Sequence, residues 1–506
     1  MKNRIRILAT SDLHGSIYPY SYADGSETAQ GMARLSTLIQ SLRDDNTLLI
    51  DNGDTLQGTP LTYFHYRYHH DWICPMTTVM NLMGYDYVNI GNHDFDYGEQ
   101  ALQNHLNLLK APCITSNVSI SGTPLGPNYV IREIGGKKLA IFGVITQYVP
   151  HWEAKKNIRH SKFRDAYETA AKTVELIRGL EKPDYVIGVY HGGFERDLKN
   201  GYPVGDLTGE NEGYEMMRSI PGLDILISGH THTAECGKAF HTVYTQTSDS
   251  AKDLACIDIY TDTGVIEPQI LKADCEPDQK ILDAVMNEEE ECQKWLDTPI
   301  GTSKVNLQIT DEMDARLHKS QCVTFLNMVQ KEATGSDLSC TPLFLHATGF
   351  PSEITMRNIV STYLFPNTLV VKEISGKVLR KYLEKDAEFW SIRNDAIIVS
   401  PWMDYPNPQH YNYDMVDGIE YTIRVSEEPG HRIEKLTYQG HEVTDDMSFT
   451  MSMNNYRASG GGNYSMIASC PTVKEVPISM VELIADYILE HKVIDFTPVN
   501  NITVVK

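Results

Sequence analysis

From residue 1 to about 270 the chain alternates short apolar runs with segments of helical spacing. Arg4 to Thr10, Thr47 to Ile50, Tyr85 to Ile90, Lys138 to Thr146, Tyr185 to Tyr190 and Asp224 to Ser228 read as strands. Their Val, Ile and Leu content is that of strands buried on both faces. Between the first two, Gly31 to Arg43 places Met32, Leu35, Leu38, Ile39 and Leu42 on one helical stripe. Such alternation predicts an α/β layered domain. Residues 277–297 then read as an acidic helix. Pro277 suits its first turn, Glu288 to Glu291 are four consecutive acids, and Pro299 lies just past its end. The chain of 506 residues exceeds one ordinary core. The pattern therefore predicts a first domain over 1–275, a helical linker over 276–299 and a second domain over 300–506.

The apolar runs end in polar motifs: Asp12-Leu13-His14, Gly53-Asp54, Gly91-Asn92-His93-Asp94, His191-Gly192-Gly193 and Gly229-His230-Thr231-His232. In α/β sheets that strand edge is where ligands bind. Each motif carries an oxygen or imidazole donor suited to a divalent cation, and a carboxylate can bridge two such ions. Asp54, after the tight turn that Gly53 permits, is the bridge candidate. Asp12 and His14 are two residues apart, as are His230 and His232. In extended segments on neighbouring strands each pair would face one point. His65, His69, His70 and His151 are read as core or surface histidines.

The formal net charge of −23 argues against nucleic-acid polymers as partners, though not against a small anion met by metal ions. Nine cysteines occur singly, without a Cys-x-x-Cys pair, so neither a disulfide framework nor a thiolate zinc site is expected. Residues 1–10 run directly into Asp12 without an apolar signal segment, and no run approaches a membrane-spanning length. The expectation is a cytoplasmic monomer or dimer that does not meet the membrane.

The order D-x-H, GD, GNHD, HGG, GHTH resembles the calcineurin-like metallophosphoesterases. Gly91 to Gly98 is similar to the GNHEFDYG signature of their 5′-nucleotidase branch. The resemblance implies a four-layer α/β/β/α catalytic domain, joined by the helix to an α/β 5′-nucleotidase-type domain. It implies two divalent ions, of the Mn, Zn, Fe, Co or Mg kind. One would be held by Asp12, His14, Asp54 and His232, the other by Asp54, Asn92, His191 and His230. His93 would stabilise charge on phosphate oxygens, oriented by Asp96, while Asp94 supports from behind. The implied reaction is in-line attack by a metal-bound hydroxide.

In the second half, Tyr363 to Leu369, Tyr411 to Gly418 and Asn454 to Gly462 are similar to the C-terminal domain of this branch. They sit closest to its 2′,3′-cyclic-nucleotide 2′-phosphodiesterase/3′-nucleotidase members. There two aromatic rings clamp the base, which implies a small nucleotide as substrate. Tyr456 is one ring, Tyr411 or Tyr413 the other, with Arg457, Gly460 and Gly461 beside them. Two departures stand out. Where 5′-nucleotidase members carry N-x-G-G-x-R, this chain has Leu343 to Phe350, leaving Arg357 and Arg457 as substitutes. Thr245 to Ala251 lacks the family's glycine-containing loop. The alternatives are a 5′-nucleotidase, a nucleotide-sugar or other phosphoester hydrolase, and a catalytically silent nucleotide-binding protein.

Overall fold

The structure, a computed structural model, describes residues 4–506 except 205, 206, 364, 366, 406, 407 and 477. Residues 1–3, ahead of the first strand, and Leu364 and Pro366 of the Tyr363–Leu369 string lie outside the described residues. The chain divides into two compact units, Met1–Cys292 and Gln293–Lys506.

The strands of the first unit's two large sheets are β1 (Arg4–Thr10), β2 (Thr47–Asp51), β3 (Tyr87–Val88), β4 (Val130–Ile134), β5 (Lys137–Ile145), β6 (Tyr185–His191), β7 (Ile225–Ser228), β8 (Glu235–Ala239), β9 (Thr242–Gln246), β10 (Asp253–Tyr260) and β11 (Ile266–Lys272). One sheet has the order β11-β10-β1-β2-β3, the other β8-β9-β7-β6-β5-β4. Ile5, Ile7, Leu48, Ile50 and Ile257 of the first sheet meet Leu139, Ile141, Ile187, Val189, Ile225 and Ile227 of the second in one apolar layer. Side chains alternate along a strand, so Leu8 and Leu49 point to the opposite face, where they too are fully buried. Helices Met32–Leu42 and Pro75–Met83, flanking β2 in sequence, each bury an apolar stripe. The outer face of the second sheet packs Phe142, Val144 and Val186 against Ala170, Val174 and Ile177 of helix Ala166–Leu180. The result is the α/β/β/α layering expected, with mixed rather than purely parallel sheets.

The acidic helix spans Gln279–Leu296. Its early turns are tied to the first unit: the Tyr18 hydroxyl donates to the Leu282 carbonyl at 2.9 Å, Tyr22 donates to Glu289 at 2.7 Å, and His65 meets Glu288 at 2.8 Å. Glu288 and Glu289 are therefore buried. The division between units falls inside this helix rather than at its ends.

The second unit is built on a sheet ordered Asp414–Asp417, Leu338–Pro342, Ser448–Asn454, Leu369–Ser375, Thr472–Val476. Its core gathers Leu338, Cys340, Tyr382, Leu383, Phe389, Trp390, Tyr413, Met415 and Met451.

Ile187, fully buried at mid-strand between the sheets, is a direct test of the first unit's layering. Ile187→Ala is expected to destabilise that unit by about 2–5 kcal/mol, read as a lowered urea midpoint of the metal-free protein.

Candidate metal centre

β1 and β2 run parallel with Thr10 beside Asp51, and β5, β6 and β7 run parallel with Ile145 beside His191. Their carboxyl ends open at one edge of the sandwich. Asn52 joins the two sheets there. Its side-chain amide donates to the Tyr190 carbonyl at 3.0 Å, and its own carbonyl accepts from His191 Nδ1 at 2.7 Å. Asn89 extends the seam, donating to Asn52 Oδ1 at 3.1 Å and to the Val144 carbonyl at 2.9 Å. Sequence reasoning passed over both asparagines. Adjacency to Gly53-Asp54 was the one available signal for Asn52.

The structure corrects the geometric reasoning about the histidine pairs. Asp12 and His14 follow β1, while His230 and His232 follow β7 in the other sheet, so the pairs converge across the sandwich. Nor are the segments extended. Asp12, His14, Asp54, His230 and His232 all have left-handed backbones, with φ of 57°, 47°, 55°, 72° and 54°. Non-glycine residues avoid this region, and such conformations gather at functional sites. Here they fold the chain around a point.

That point is lined with lone pairs. Asp12, His14 and His232 bring ligand atoms within 4.8 Å of one another, and so do Asp54, His191 and His230. His14 Nδ1 is bound to the Gln57 carbonyl at 2.9 Å and His191 Nδ1 to the Asn52 carbonyl. A carbonyl only accepts, so both Nδ1 atoms carry a proton and both Nε2 atoms turn inward, where a cation would take the place of any proton they hold. His14 Nε2 lies 3.1 Å from His232 Nε2, and His191 Nε2 lies 3.2 Å from Asn92 Oδ1. Asp54 Oδ2 is buried, makes no hydrogen bond, and lies 3.2 Å from His191 Nε2 and 3.9 Å from His14 Nε2. Burial alone would raise the Asp54 carboxyl, but the facing histidines outweigh it and hold it well below the usual range. Burial likewise works to lower His191, and Asp54 and Asp12 instead push it up to about 9. A buried carboxylate oxygen without a hydrogen bond, set between two groups of inward-facing oxygen and nitrogen atoms, fits divalent cations held by oxygen and nitrogen.

Asp94 is an anchor rather than a ligand. Its oxygens accept from the backbone N–H of Asp54 (3.1 Å), Thr55 (2.9 Å), Leu56 (3.0 Å) and Gly91 (2.8 Å), fixing the turn that presents Asp54. His93 donates its backbone N–H to Asp54 Oδ1 at 2.7 Å, and its Nδ1 meets Asp96 Oδ2 at 3.0 Å. Its ring centre is 5.5 Å from that of His14. Burial opposes its charge, but Asp96 and Asp54 prevail and hold the imidazole up at about 10. Behind Asp96, burial and the Asp96 charge push the Glu153 carboxyl well above its ordinary range. His230 Nε2 meets Glu210 Oε1 at 3.0 Å, a contact no local sequence signal announced. His65 and His69 pair with Glu288, and His151 stacks on Tyr148, as residues outside the centre.

The Thr245–Ala251 segment turns back on Asp12 without a glycine. Ser250 and Ala251 take left-handed backbones at φ 58° and 57°, and the Ser250 N–H donates to the Asp12 carbonyl at 2.8 Å.

In the second unit the expected residues part company. Tyr413 is fully buried and stacks on Phe389 at 4.7 Å, so it is a core ring and offers no face to a ligand. Tyr411 and Tyr456 are half-buried, with ring centres 6.4 Å apart. Arg457 is also a correction. It is fully buried, donating to Asp414 Oδ2 at 2.7 Å and to the Tyr411 carbonyl at 3.2 Å, so it ties the two aromatic loops together instead of facing a phosphate. Gly461 lies against the Tyr456 ring, where a Cβ would come within 2.5 Å of it, and Gly460 has φ 96°. Arg357 is engaged by Asp297 at 2.8 Å and Gln293 at 2.7 Å.

Comparison with known proteins gives two family matches along the chain. Residues 5–234 match the calcineurin-like phosphoesterase model and residues 299–469 the 5′-nucleotidase C-terminal domain. A crystal structure of a putative 5′-nucleotidase from Staphylococcus aureus superposes with a TM-score of 0.92 at 30% identity, covering 99% of this chain and 100% of that one. The chain belongs to the calcineurin-like metallophosphoesterases of the 5′-nucleotidase family. It is a hydrolase of phosphoric esters of that family, whose members use divalent metals. The 2′,3′-cyclic-nucleotide 2′-phosphodiesterase/3′-nucleotidase of Salmonella typhimurium is 27% identical over 90% of this chain and 81% of its own length. The trifunctional nucleotide phosphoesterase protein YfkN of Bacillus subtilis is 25% identical, and the chain spans 38% of that longer protein. Among the described residues no helix is long and apolar enough to cross a membrane.

The family's GNHD glycine gives a sharp test here. A Cβ on Gly91 would fall 2.1 Å from Asp54 Oδ1 and 2.4 Å from the Asp54 nitrogen. Gly91→Ala is therefore expected to displace Asp54 and abolish tight binding of at least one ion, measured as metal content after dialysis against Mn2+.

Proposed function

We propose that the protein hydrolyses nucleotide phosphate esters, chiefly 2′,3′-cyclic diesters and 3′-monoesters, with two divalent ions at the β1–β7 edge. The observation that carries the reading is the buried, unbonded Asp54 Oδ2 between the Asp12/His14/His232 and Asn92/His191/His230 donors. Bound there, the ions supply positive charge for the ester oxygens and lower the pKa of a water molecule. The rest falls to side chains. Asp54 spans both donor groups, and Asp94 and Asn52 hold the turns that present it and His191. His93, steadied by Asp96, keeps a proton for a non-bridging phosphoryl oxygen, where charge builds during in-line transfer.

Tyr411 and Tyr456 support a nucleoside as the leaving group. The Tyr456 ring rests on Gly461, and a base would stack after one ring turns from the present 68° interplanar angle. Aromatic stacking contributes about 1–3 kcal/mol per base. The commitment of Arg457 and Arg357 within the second unit leaves neither to replace the arginine of the N-x-G-G-x-R pattern, absent from Leu343 to Phe350, and so disfavours 5′-monoesters. The Staphylococcus aureus likeness keeps 5′-nucleotides in the test panel. Nine unpaired cysteines favour a reducing compartment, and the acidic chain disfavours polymeric nucleic acid.

Enzyme reconstituted with Mn2+ or Zn2+ is expected to release phosphate from 3′-nucleotides and open 2′,3′-cyclic ones faster than it attacks 5′-nucleotides. No turnover across that panel would sink the assignment. Tyr456→Ala or Tyr411→Ala should raise KM by about 5- to 150-fold with kcat less affected. Unchanged KM in both would transfer the enzyme to esters lacking a base.

A further inference from the structure

We propose that Glu210 is the positioning residue that selects which nitrogen of His230 faces the metal centre; the inference rests on the two-ion reading above. His14 and His191 are oriented through Nδ1 by backbone carbonyls, which leaves Nε2 inward. His230 is held the other way round. Its Nε2 lies 3.0 Å from Glu210 Oε1, and a carboxylate accepts, so Nε2 carries the proton and Nδ1 keeps the lone pair. Nδ1 is then the nitrogen left for an ion shared with Asp54 and His191, whose ligand atoms gather with His230's within 4.8 Å.

Two further contacts show that this arrangement is built rather than incidental. The Trp152 ring covers His230, with centres 5.3 Å apart and planes at 31°, which restricts the imidazole from flipping. The Glu210 carbonyl accepts from Thr146 Oγ1 at 2.7 Å, at the carboxyl end of β5, so the main chain carrying the carboxylate is pinned to the same sheet edge as His191. The anchor is the backbone and the contact with His230 is the side chain. Replacing the side chain therefore leaves the loop attached. A carboxylate behind a ligating histidine also makes it a stronger donor than a carbonyl does, and loss of such partners lowers metal affinity about 10- to 100-fold.

The test is equilibrium dialysis of full-length protein against Mn2+, with wild type, Glu210→Gln and Glu210→Ala side by side and thermal midpoints recorded without metal. Wild type should bind two ions. Glu210→Ala should still bind two at saturation, with one of them weakened by about 10- to 100-fold. Glu210→Gln, whose carbonyl oxygen still accepts from Nε2–H, should recover part of that loss, and the metal-free midpoints should agree. Two equally tight ions in wild type and Glu210→Ala would overturn the role of Glu210 and leave the two-ion reading intact. A stoichiometry of one in Glu210→Ala at any Mn2+ concentration would also overturn it, by making Glu210 itself a ligand. Fewer than two ions in wild type would instead strike the two-ion reading beneath both.

Discussion

The centre depends on one buried carboxylate. Asp54 has one oxygen bonded to the His93 backbone and one that faces only the imidazoles of His191 and His14. A buried carboxylate is costly unless it is paired or binds metal, and here the histidines that face it supply the pairing. Much around it serves to keep it there: four backbone donors onto Asp94, the glycine contact at Gly91, and the Asn52 seam that brings β6 within reach of β2. The apolar layer between the sheets supplies the rigidity, since a packed core holds strand ends in fixed relation.

The layering and the identity of the donors were legible in the sequence because they follow from local pattern. Apolar runs gave the strands, and the motifs at their ends gave the ligand chemistry. What could not be read was how the ends meet. Periodicity describes extended or helical backbone, whereas five of the donors sit at positive φ, where no side-chain pattern announces the turn. Strand adjacency was equally hidden: two motifs that look like one repeated device belong to opposite sheets.

The second unit shows the complementary lesson. Tyr411 and Tyr413 are indistinguishable in composition, but Tyr411 sits in a short helical turn over His410–Asn412 and Tyr413 just past its end, which leaves one half-buried and puts the other in the core beside Phe389. Arg457 looked like an anion-binding residue because arginine is usually exposed. Its burial against Asp414 and Tyr464 was unreadable without knowing that residues 411–414 fold back onto the 457–464 turn. Supporting residues such as Glu210 and Asn52 lie in turns and loops whose partners are far away in the chain.

The joining of His14 to His232 across 218 residues has a consequence for biogenesis. Long-range contacts form late, once the intervening chain has been ordered. Neither half of the donor set can grip an ion while the second sheet is still being made, so a nascent chain stalled before β7 presents only scattered, weak ligands. On the two-ion proposal, cation capture would therefore follow the ordering of both sheets.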